Sequence, residues 1–339
     1  MKILFQSYNT CCQNKSGGVQ NRVRTIRELL VKRSVTVDYF APFSTRVEDY
    51  DVLHIFYLSP ESFDLVRYAK QKGVRIVLSP IVGLTGGNIL DLCRVFINKL
   101  PILTAHKMSF FVAQNSDLLL TESKREADFI SKHYKIETEK FRIIPNGINC
   151  DEYKGKEIYD QIGGVKKYIL QVGRFDKNKN QINVIKALQG SNIDVVFIGG
   201  PDPNSEVYYD ECLAIASGST NFHFLGWQMS DSPLLKSAYA NADVVILPSY
   251  QETFGLVVLE GAINGAKIAV SNTLPILEFE PLRNVCTFNP ASIEDIRIKV
   301  STLLKEERDT QLKDKVESFF SWDSVIDKHI ECYEELLRC

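Results

Sequence analysis

The stretch "PSYQETFGLVVLEGAINGA", residues 248–266, carries two glutamates, Glu252 and Glu260, on either side of an apolar run, with glycines at Gly255, Gly261 and Gly265. The run reads as a helix. Gly255 lets the backbone turn tightly before it, and the free amides of its N-terminus form an anion site able to take a phosphate. Glu252 precedes the helix and Glu260 lies inside it, so helical rise alone separates the carboxylates by roughly 10 Å. A retaining glycosidase holds its carboxylates closer, at about 5–5.5 Å, whereas an inverting pair needs roughly 6.5–9.5 Å and fits so loose a spacing. Two carboxylates that bind hydroxyls, spaced like the sugar and ribose of a nucleotide sugar, is the reading favoured here. A capping Glu252 and a surface Glu260 fit the same letters.

Upstream, "YILQVGRFDKNKNQ" places Gly173, Arg174 and Lys179 directly after an apolar strand. Arginine offers a planar fork for phosphate oxygens and lysine a mobile point charge, so the pair suits a diphosphate leaving group. Solvated loop charges are the plainer reading, and Lys177 is assigned to solvent. Near the N-terminus, Gly17 and Gly18 in "SGGVQNRVRTIREL" open a helix. A double glycine allows close backbone approach to a phosphate or sugar, and it equally makes a plain turn. Neither the G-x-G-x-x-G fingerprint nor a P-loop lysine is present, which argues against nicotinamide or ordinary NTPase chemistry.

These loops need a frame to position them. Apolar, β-branched runs alternate with amphipathic stretches: "KILFQ", "VTVDYF", "DVLHIFYL", "VRIVLSP", "DLLLTES" and "FRIIPNG" are strands, with helices near 18–32, 60–72, 88–112 and 123–133. The pattern restarts with "KYILQVGR", "DVVFIGG", "FHFLGW", "DVVILPS" and "KIAVSN", with helices near 180–189, 204–217, 231–241, 255–264 and 292–305. Such alternation predicts α/β architecture with buried parallel sheets. A polar, glycine-rich linker is expected at about 145–165. The boundaries follow as an N-terminal Rossmann-like domain over 1–158 and a C-terminal one over 159–321. An amphipathic helix within "FFSWDSVIDKHIECYEELL", at 322–339, packs back on the first domain. Two doubly wound domains of this kind face a central cleft at the carboxyl ends of their strands.

The 339 residues, with 45% hydrophobic and 24% charged side chains and a formal charge of −2, suit two ordinary globular domains and advertise no nucleic-acid partner. "MKILFQSYN" reads as a first strand instead of a signal peptide, and no apolar stretch approaches the length of a membrane span. The eight cysteines form no CxxC pair and no metal-ligand pattern, so reduced structural thiols and a cytoplasmic protein are expected.

Together the segments resemble the retaining GT-B glycosyltransferases of family 4, the "group 1" transferases, over almost the whole chain. "ADVVILPSYQETFGLVVLEGAINGAKIAVSN" is similar to the family's donor-site signature, with its two glutamates. "VGRFDKNKN" resembles its "GR…K" loop, "IIPNGIN" its interdomain "PNG", and "SGGVQNRVRTIREL" its N-terminal glycine loop. The resemblance implies transfer of a sugar from a nucleoside diphosphate sugar, with retention and without a metal or other cofactor. It implies that Glu252 and the backbone of Phe254, Gly255 and Leu256 bind the donor sugar and phosphate, and that Glu260 binds the ribose. Arg174 and Lys179 bind the diphosphate after Gly173, and Gly17 and Gly18 close over the donor. A sugar-nucleotide epimerase or hydrolase, and a catalytically idle binding partner of another transferase, are the rival readings.

The chain departs from that pattern. Pro80 or Ile81 in "VLSPIVGLTGG" stands where many relatives carry a histidine, so no catalytic histidine is assigned. His54 matches a histidine often found in the third strand, a place that also suits a core residue. Gly261 and Lys267 stand where relatives often have alanine and proline, and "NTLPILEFEP" lacks the usual glycine pair, changes expected to alter donor fit. By analogy the acceptor is a glycan or lipid-linked glycan of bacterial surface polysaccharide synthesis. The apolar and basic stretch "NILDLCRVFINKLPILTAHKMSFFVAQN" suggests peripheral contact with the inner face of the membrane, or a packed helix pair.

Overall fold

The computed structural model describes residues 1–7, 18–82 and 103–338. Gly17, Cys11, Cys12, Cys93 and residues 88–102 of the apolar and basic stretch lie outside them. The chain forms two compact units, Met1–Gly147 with Trp322–Cys339, and Ile148–Ser321.

The first unit is built on β1 (Lys2–Ser7), β2 (Thr36–Tyr39), β3 (Val52–Phe56), β4 (Arg75–Ser79), β5 (Leu118–Thr121) and β6 (Phe141–Ile143). All pairings are parallel, in the order β2-β1-β3-β4-β5-β6. Its helices are α1 (Gly18–Lys32), α2 (Phe63–Gln71), α3 (Ala105–Gln114), α4 (Lys124–Tyr134) and, returning from the chain end, α12 (Trp322–Arg338). Strand alternation sends Ile3, Phe5, Val52, Phe56, Val77, Leu118 and Leu120 to one face, where Val23, Ile26 and Leu30 of α1 and Val325, Ile326 and Tyr333 of α12 cover them. Leu4, Leu53, Ile55, Ile76, Leu78 and Leu119 face the other way onto Val66, Ala69, Val112 and Ile130 of α2, α3 and α4.

The second unit has β7 (Tyr168–Val172), β8 (Asp194–Ile198), β9 (Phe222–Phe224), β10 (Val244–Leu247), β11 (Lys267–Ser271) and β12 (Cys286–Phe288) in the all-parallel order β12-β11-β10-β7-β8-β9. Counted from β7 this is 3-2-1-4-5-6, the Rossmann order, and it reverses between β7 and β10. Its helices are α5 (Glu157–Gln161), α6 (Gln181–Leu188), α7 (Glu206–Ala216), α8 (Pro233–Asn241), α9 (Leu256–Ile263), α10 (Ile293–Leu303) and α11 (Thr310–Phe320). One face of the sheet packs on α8, α9 and α11, the other on α6, α7 and α10.

The first division falls at Gly147/Ile148, earlier than the 158/159 boundary drawn from composition. Ile148 donates its amide to Phe320 at 2.8 Å, and Ile158 is fully buried in the second core, so the polar stretch already runs on the second unit. The C-terminal helix begins at Trp322, just after a separate helix of the second unit. Ser321, with φ −55° and ψ 144°, ends α11 at Phe320, so Phe319 and Phe320 serve the second core while Trp322 begins α12. Gly147 is required there, because an added Cβ would collide with the Trp322 ring.

His54 is a core residue. It lies wholly buried on β3, with one ring nitrogen 2.6 Å from the Tyr333 hydroxyl of α12 and the other 2.9 Å from Ser79 Oγ of β4. His329 of α12 lies beside it; its Nδ1 donates to the Val325 carbonyl at 2.9 Å, and its buried Nε2 has no partner among the described residues. No described helix is long and apolar enough to cross a membrane.

Two consequences are measurable. Burial lowers His329 to about 4 and holds His54 well below 6.5, so both stay neutral in the folded chain after unfolded histidines have charged. The unfolded state binds the extra protons, so the contribution is intact above about pH 6.5 and is lost as pH falls toward 4. Between pH 7 and pH 5 the wild type should lose ~2 kcal/mol more stability than His329→Leu, read from denaturant midpoints; parallel losses would show that His329 is not the sensor. In the second unit, Gly261 lets α9 press on β10, since a Cβ there would lie 2.7 Å from Val245 Cβ. Gly261→Ala should destabilise by ~1–3 kcal/mol, with Val245→Ala in the same chain returning part of the loss, and strict additivity of the two would refute the contact.

Candidate active site

The strand reversal in the second sheet places the loops after β7 and β10 side by side, at the kind of switch point where open α/β sheets bind ligands. Gly173 leaves β7 with φ +152° and donates its amide to the Ile198 carbonyl at 2.9 Å. Gly199, with φ +135°, follows β8, and a Cβ on it would collide with the Gly173 carbonyl oxygen. Bare backbone on both sides therefore permits this approach.

The β7 and β10 loops are laced together by Asn178. Its carbonyl accepts from Tyr250 N at 2.9 Å, its Oδ1 from Gln251 N at 3.0 Å, and its Nδ2 donates to the Gln251 carbonyl at 2.8 Å. Asn180, in the left-handed region at φ 59°, donates to the Pro248 and Pro290 carbonyls at 3.2 and 2.8 Å. Lys179, between them, is fixed at its own backbone: its amide donates to Asp176 Oδ1 at 2.8 Å, and its carbonyl accepts from Gln171 Nε2 at 2.9 Å.

So fixed, Lys179 reaches across the switch point, and its Nζ lies 2.5 Å from Glu252 Oε1. The side chains are only 17% and 13% exposed, so each charge depends on the other for compensation. Arg174 takes a different direction. Its Nη1 lies 2.6 Å from Asp202 Oδ2 and its Nη2 3.6 Å from Asp176 Oδ2, with the guanidinium more than half exposed. The structure thus joins Lys179 to Glu252 and gives Arg174 acidic partners of its own.

Gly255, at φ +109°, is the N-cap of α9, with no capping side chain and no acidic residue in the first turn. Glu252 is therefore not the cap, and the positive end of α9 is left without a compensating charge from its own turn. The Phe254 ring is buried against Phe279 and Phe320, which leaves its backbone to line the site, while Leu256 is partly exposed. Glu260 lies further along α9, largely enclosed. Burial raises its carboxyl above the ordinary range, opposed by the Tyr239 hydroxyl of α8. That hydroxyl, itself pushed up by burial and by Glu260, faces the carboxylate short of good hydrogen-bond geometry. Gly18 begins α1 in the first unit.

Sequence reasoning passed over Asp176, Asn178, Asn180, Asp202 and Tyr239. The alternating Asp and Asn of "RFDKNKN" were the available sign of a loop built on side-chain-to-backbone bonds. Lys267, expected to alter donor fit, stands at the amino end of β11, away from these loops. There its Nζ donates to the carbonyls of Leu303, Leu304 and Glu306 at 2.7, 3.2 and 2.8 Å and closes the C-terminus of α10. Among the described residues no group of three or more His, Cys, Asp or Glu is placed to hold a metal ion.

Residues 158–318 match the sequence model of the family described as glycosyl transferases group 1. An uncharacterized glycosyltransferase of Methanocaldococcus jannaschii is 26% identical over 311 residues, 85% of this chain and 76% of that one. The lipopolysaccharide glucosyltransferase WaaG of Escherichia coli is 31% identical over 177 residues, 48% of this chain and less than half, 45%, of its own length. In three dimensions the chain is similar to HepE of Anabaena, solved in complex with UDP, with a TM-score of 0.76 over 99% of this chain and 100% of that one at 16% identity. The chain is thus similar to glycosyltransferases, with the group 1 match confined to residues 158–318, and its fold is that of the GT-B enzymes.

Proposed function

We propose that the chain is a retaining glycosyltransferase of family 4 that moves a sugar from a nucleoside diphosphate sugar to a glycan or lipid-linked glycan in surface polysaccharide synthesis. The observation that carries this reading is the enclosed Lys179–Glu252 pair beside the uncapped start of α9. A lysine ammonium has three protons, so Lys179 is able to hold Glu252 and a phosphate oxygen together, while the second oxygen of Glu252 accepts from a sugar hydroxyl. The amides at Gly255 and Leu256 take a phosphate, and Glu260 takes the ribose. Arg174 exchanges Asp202 for diphosphate oxygens and stays paired throughout.

As the bond to the sugar breaks, negative charge grows on the departing diphosphate. Lys179, Arg174 and the helix amides oppose that charge, and no metal or other cofactor is called for in this reading. Front-face attack gives retention: the acceptor oxygen bonds to the anomeric carbon on the side the diphosphate leaves, and a phosphate oxygen takes the acceptor proton. Crystals of HepE hold UDP and UDP-glucose, which supports a uridine donor as the first to try. The reading places the protein in the cytoplasm, with peripheral contact at the inner face of the membrane.

Calorimetry of wild type and Glu260→Ala against UDP, GDP and ADP tests the donor site. One diphosphate should bind selectively, about tenfold more weakly to the variant, as expected for a lost hydrogen bond to a charged group. Arg174→Ala should lower turnover more than it weakens nucleotide binding; equal losses would make Arg174 a uniform binding residue. Sugar release or isomerisation without an acceptor would point to a hydrolase or epimerase, and binding without any turnover to an idle partner.

A further inference from the structure

At the carboxyl edge of the first sheet, two successive strands end in left-handed residues that are not glycine: Tyr57 after β3 at φ 80° and Ile81 after β4 at φ 48°. A β-branched residue with positive φ is a true outlier. Such strain, of order 1–3 kcal/mol, persists only where the surroundings over-determine it. The two ends hold each other, since Tyr57 N donates to Ser79 O at 2.8 Å and Leu58 N to Pro80 O at 2.9 Å. Past Ile81, a buried carboxylate takes hold: Val82 N donates to Glu126 Oε1 at 3.1 Å.

Glu126 stands three residues after Ser123, the N-cap of α4, whose Oγ accepts from Glu126 N at 3.1 Å. In an ordinary capping box its side chain would turn back onto the amide of Ser123. Here Oε2 accepts from Glu122 N at 2.8 Å, one residue further back, and Oε1 is turned to β4. The Glu122 carboxylate is in turn bonded to Arg22 of α1 and accepts from Asn146 Nδ2 at 3.1 Å. Val82, Glu126, Glu122, Arg22 and Asn146 thus form one chain of bonds across the ends of β4, β5 and β6 and the first turns of α1. Arg22, Glu122 and Glu126 are each at most 5% exposed. A solvent-facing cap needs no such burial.

We infer that Glu126 is a positioning residue, whose carboxylate holds the Pro80–Val82 turn in its strained form so that this edge presents the acceptor hydroxyl. The inference rests on the transferase reading above. It carries its own pH signature. Glu122 holds the Arg22 guanidinium and Glu126 has no bond to it, and burial together with the neighbouring Glu122 raises Glu126 to about 7. The groups facing it among the described residues are Glu122 at the end of β5 and Arg22 of α1. The neutral His54 and His329 face Arg22. Ionised, Glu126 accepts from both amides; protonated, one oxygen becomes a donor facing an N–H and a bond is lost. The grip on Val82 therefore tightens as pH rises through about 7 and slackens below it.

The test compares wild type, Glu126→Gln and Glu126→Gln with Ile81→Asn, using UDP release from UDP-glucose at pH 6 to 8 and hydrogen exchange of the Val82 amide. Glutamine keeps the shape but presents an NH2 to one of the two amides. Glu126→Gln should lower kcat about tenfold at pH 8, as for one lost charged hydrogen bond, with KM for UDP-glucose unchanged and the inflection near pH 7 gone. Asparagine tolerates the left-handed region, so Ile81→Asn should restore part of kcat. A merely structural Glu126 would lose folded protein and leave the pH profile of the remainder intact; that result, or no rescue by Ile81→Asn, overturns the inference. Should wild type release no UDP, UDP-glucose as the donor fails separately. Val82 exchange then decides the latch: faster exchange in Glu126→Gln, with second-unit amides unchanged, upholds it, and equal exchange overturns it.

Discussion

In a parallel sheet covered on both faces, every strand side chain enters an apolar layer, so polar chemistry is driven to the strand ends. Both sheets here largely follow that constraint, and two buried polar side chains in mid-strand, His54 and Gln171, show its force. His54 is bonded at both ring nitrogens, and Gln171 spends its amide on the Lys179 carbonyl. Burying a polar group in such a layer is costly unless it is tied to something. What remains free to act is the carboxyl edge, and each unit has placed an enclosed ion pair there: Arg22–Glu122 in the first and Lys179–Glu252 in the second.

The two pairs are built differently. Arg22 and Glu122 are 4% and 6% exposed and join segments of one unit into a fixed edge. Lys179 and Glu252 are 17% and 13% exposed, and they stand beside a helix start that has no capping group. An ion pair that keeps some solvent contact and adjoins uncompensated amides retains donors for a ligand, whereas one sealed from water and shared with Asn146 serves geometry. The same kind of ion pair thus stands partly open beside bare helix amides in one unit and sealed within a scaffold in the other.

Strand alternation made the two sheets readable from the sequence, because residues such as Ile3, Leu4 and Phe5 point to opposite faces with period two. The three-residue β12, "CTF", escaped notice because it is too short to alternate, and its first two residues are only partly buried. The last helix, expected from 322, begins at Trp322, whereas α11 was not listed from the sequence, and Ser321 separates the two by its dihedrals alone, with no glycine or proline to mark the place. Local sequence singled out Gly173, Arg174, Lys179, Glu252, Gly255 and Glu260 as candidates, but not the pairings they make in the structure. Asp202 and Tyr239 reach Arg174 and Glu260 from other strand–helix units, and no local spacing encodes such a meeting.

Gly261 and Lys267, the departures from the usual pattern, acquire a physical meaning in this frame. Lys267 answers the exposed carbonyls at the end of α10 and is remote from the strand ends that bear Glu252. Gly261 acts nearer the site, because the helix it lowers onto Val245 is the same helix whose first amides follow Gly255 and whose fifth residue is Glu260. β10 carries both the surface that receives Gly261 and, directly after its end, the loop in which Glu252 stands five residues past Leu247. The packing of one glycine against one valine therefore sets the height of the helix amides and of Glu260 over a strand that also places Glu252. A residue with no polar atom in its side chain contributes in this way to where the charges stand.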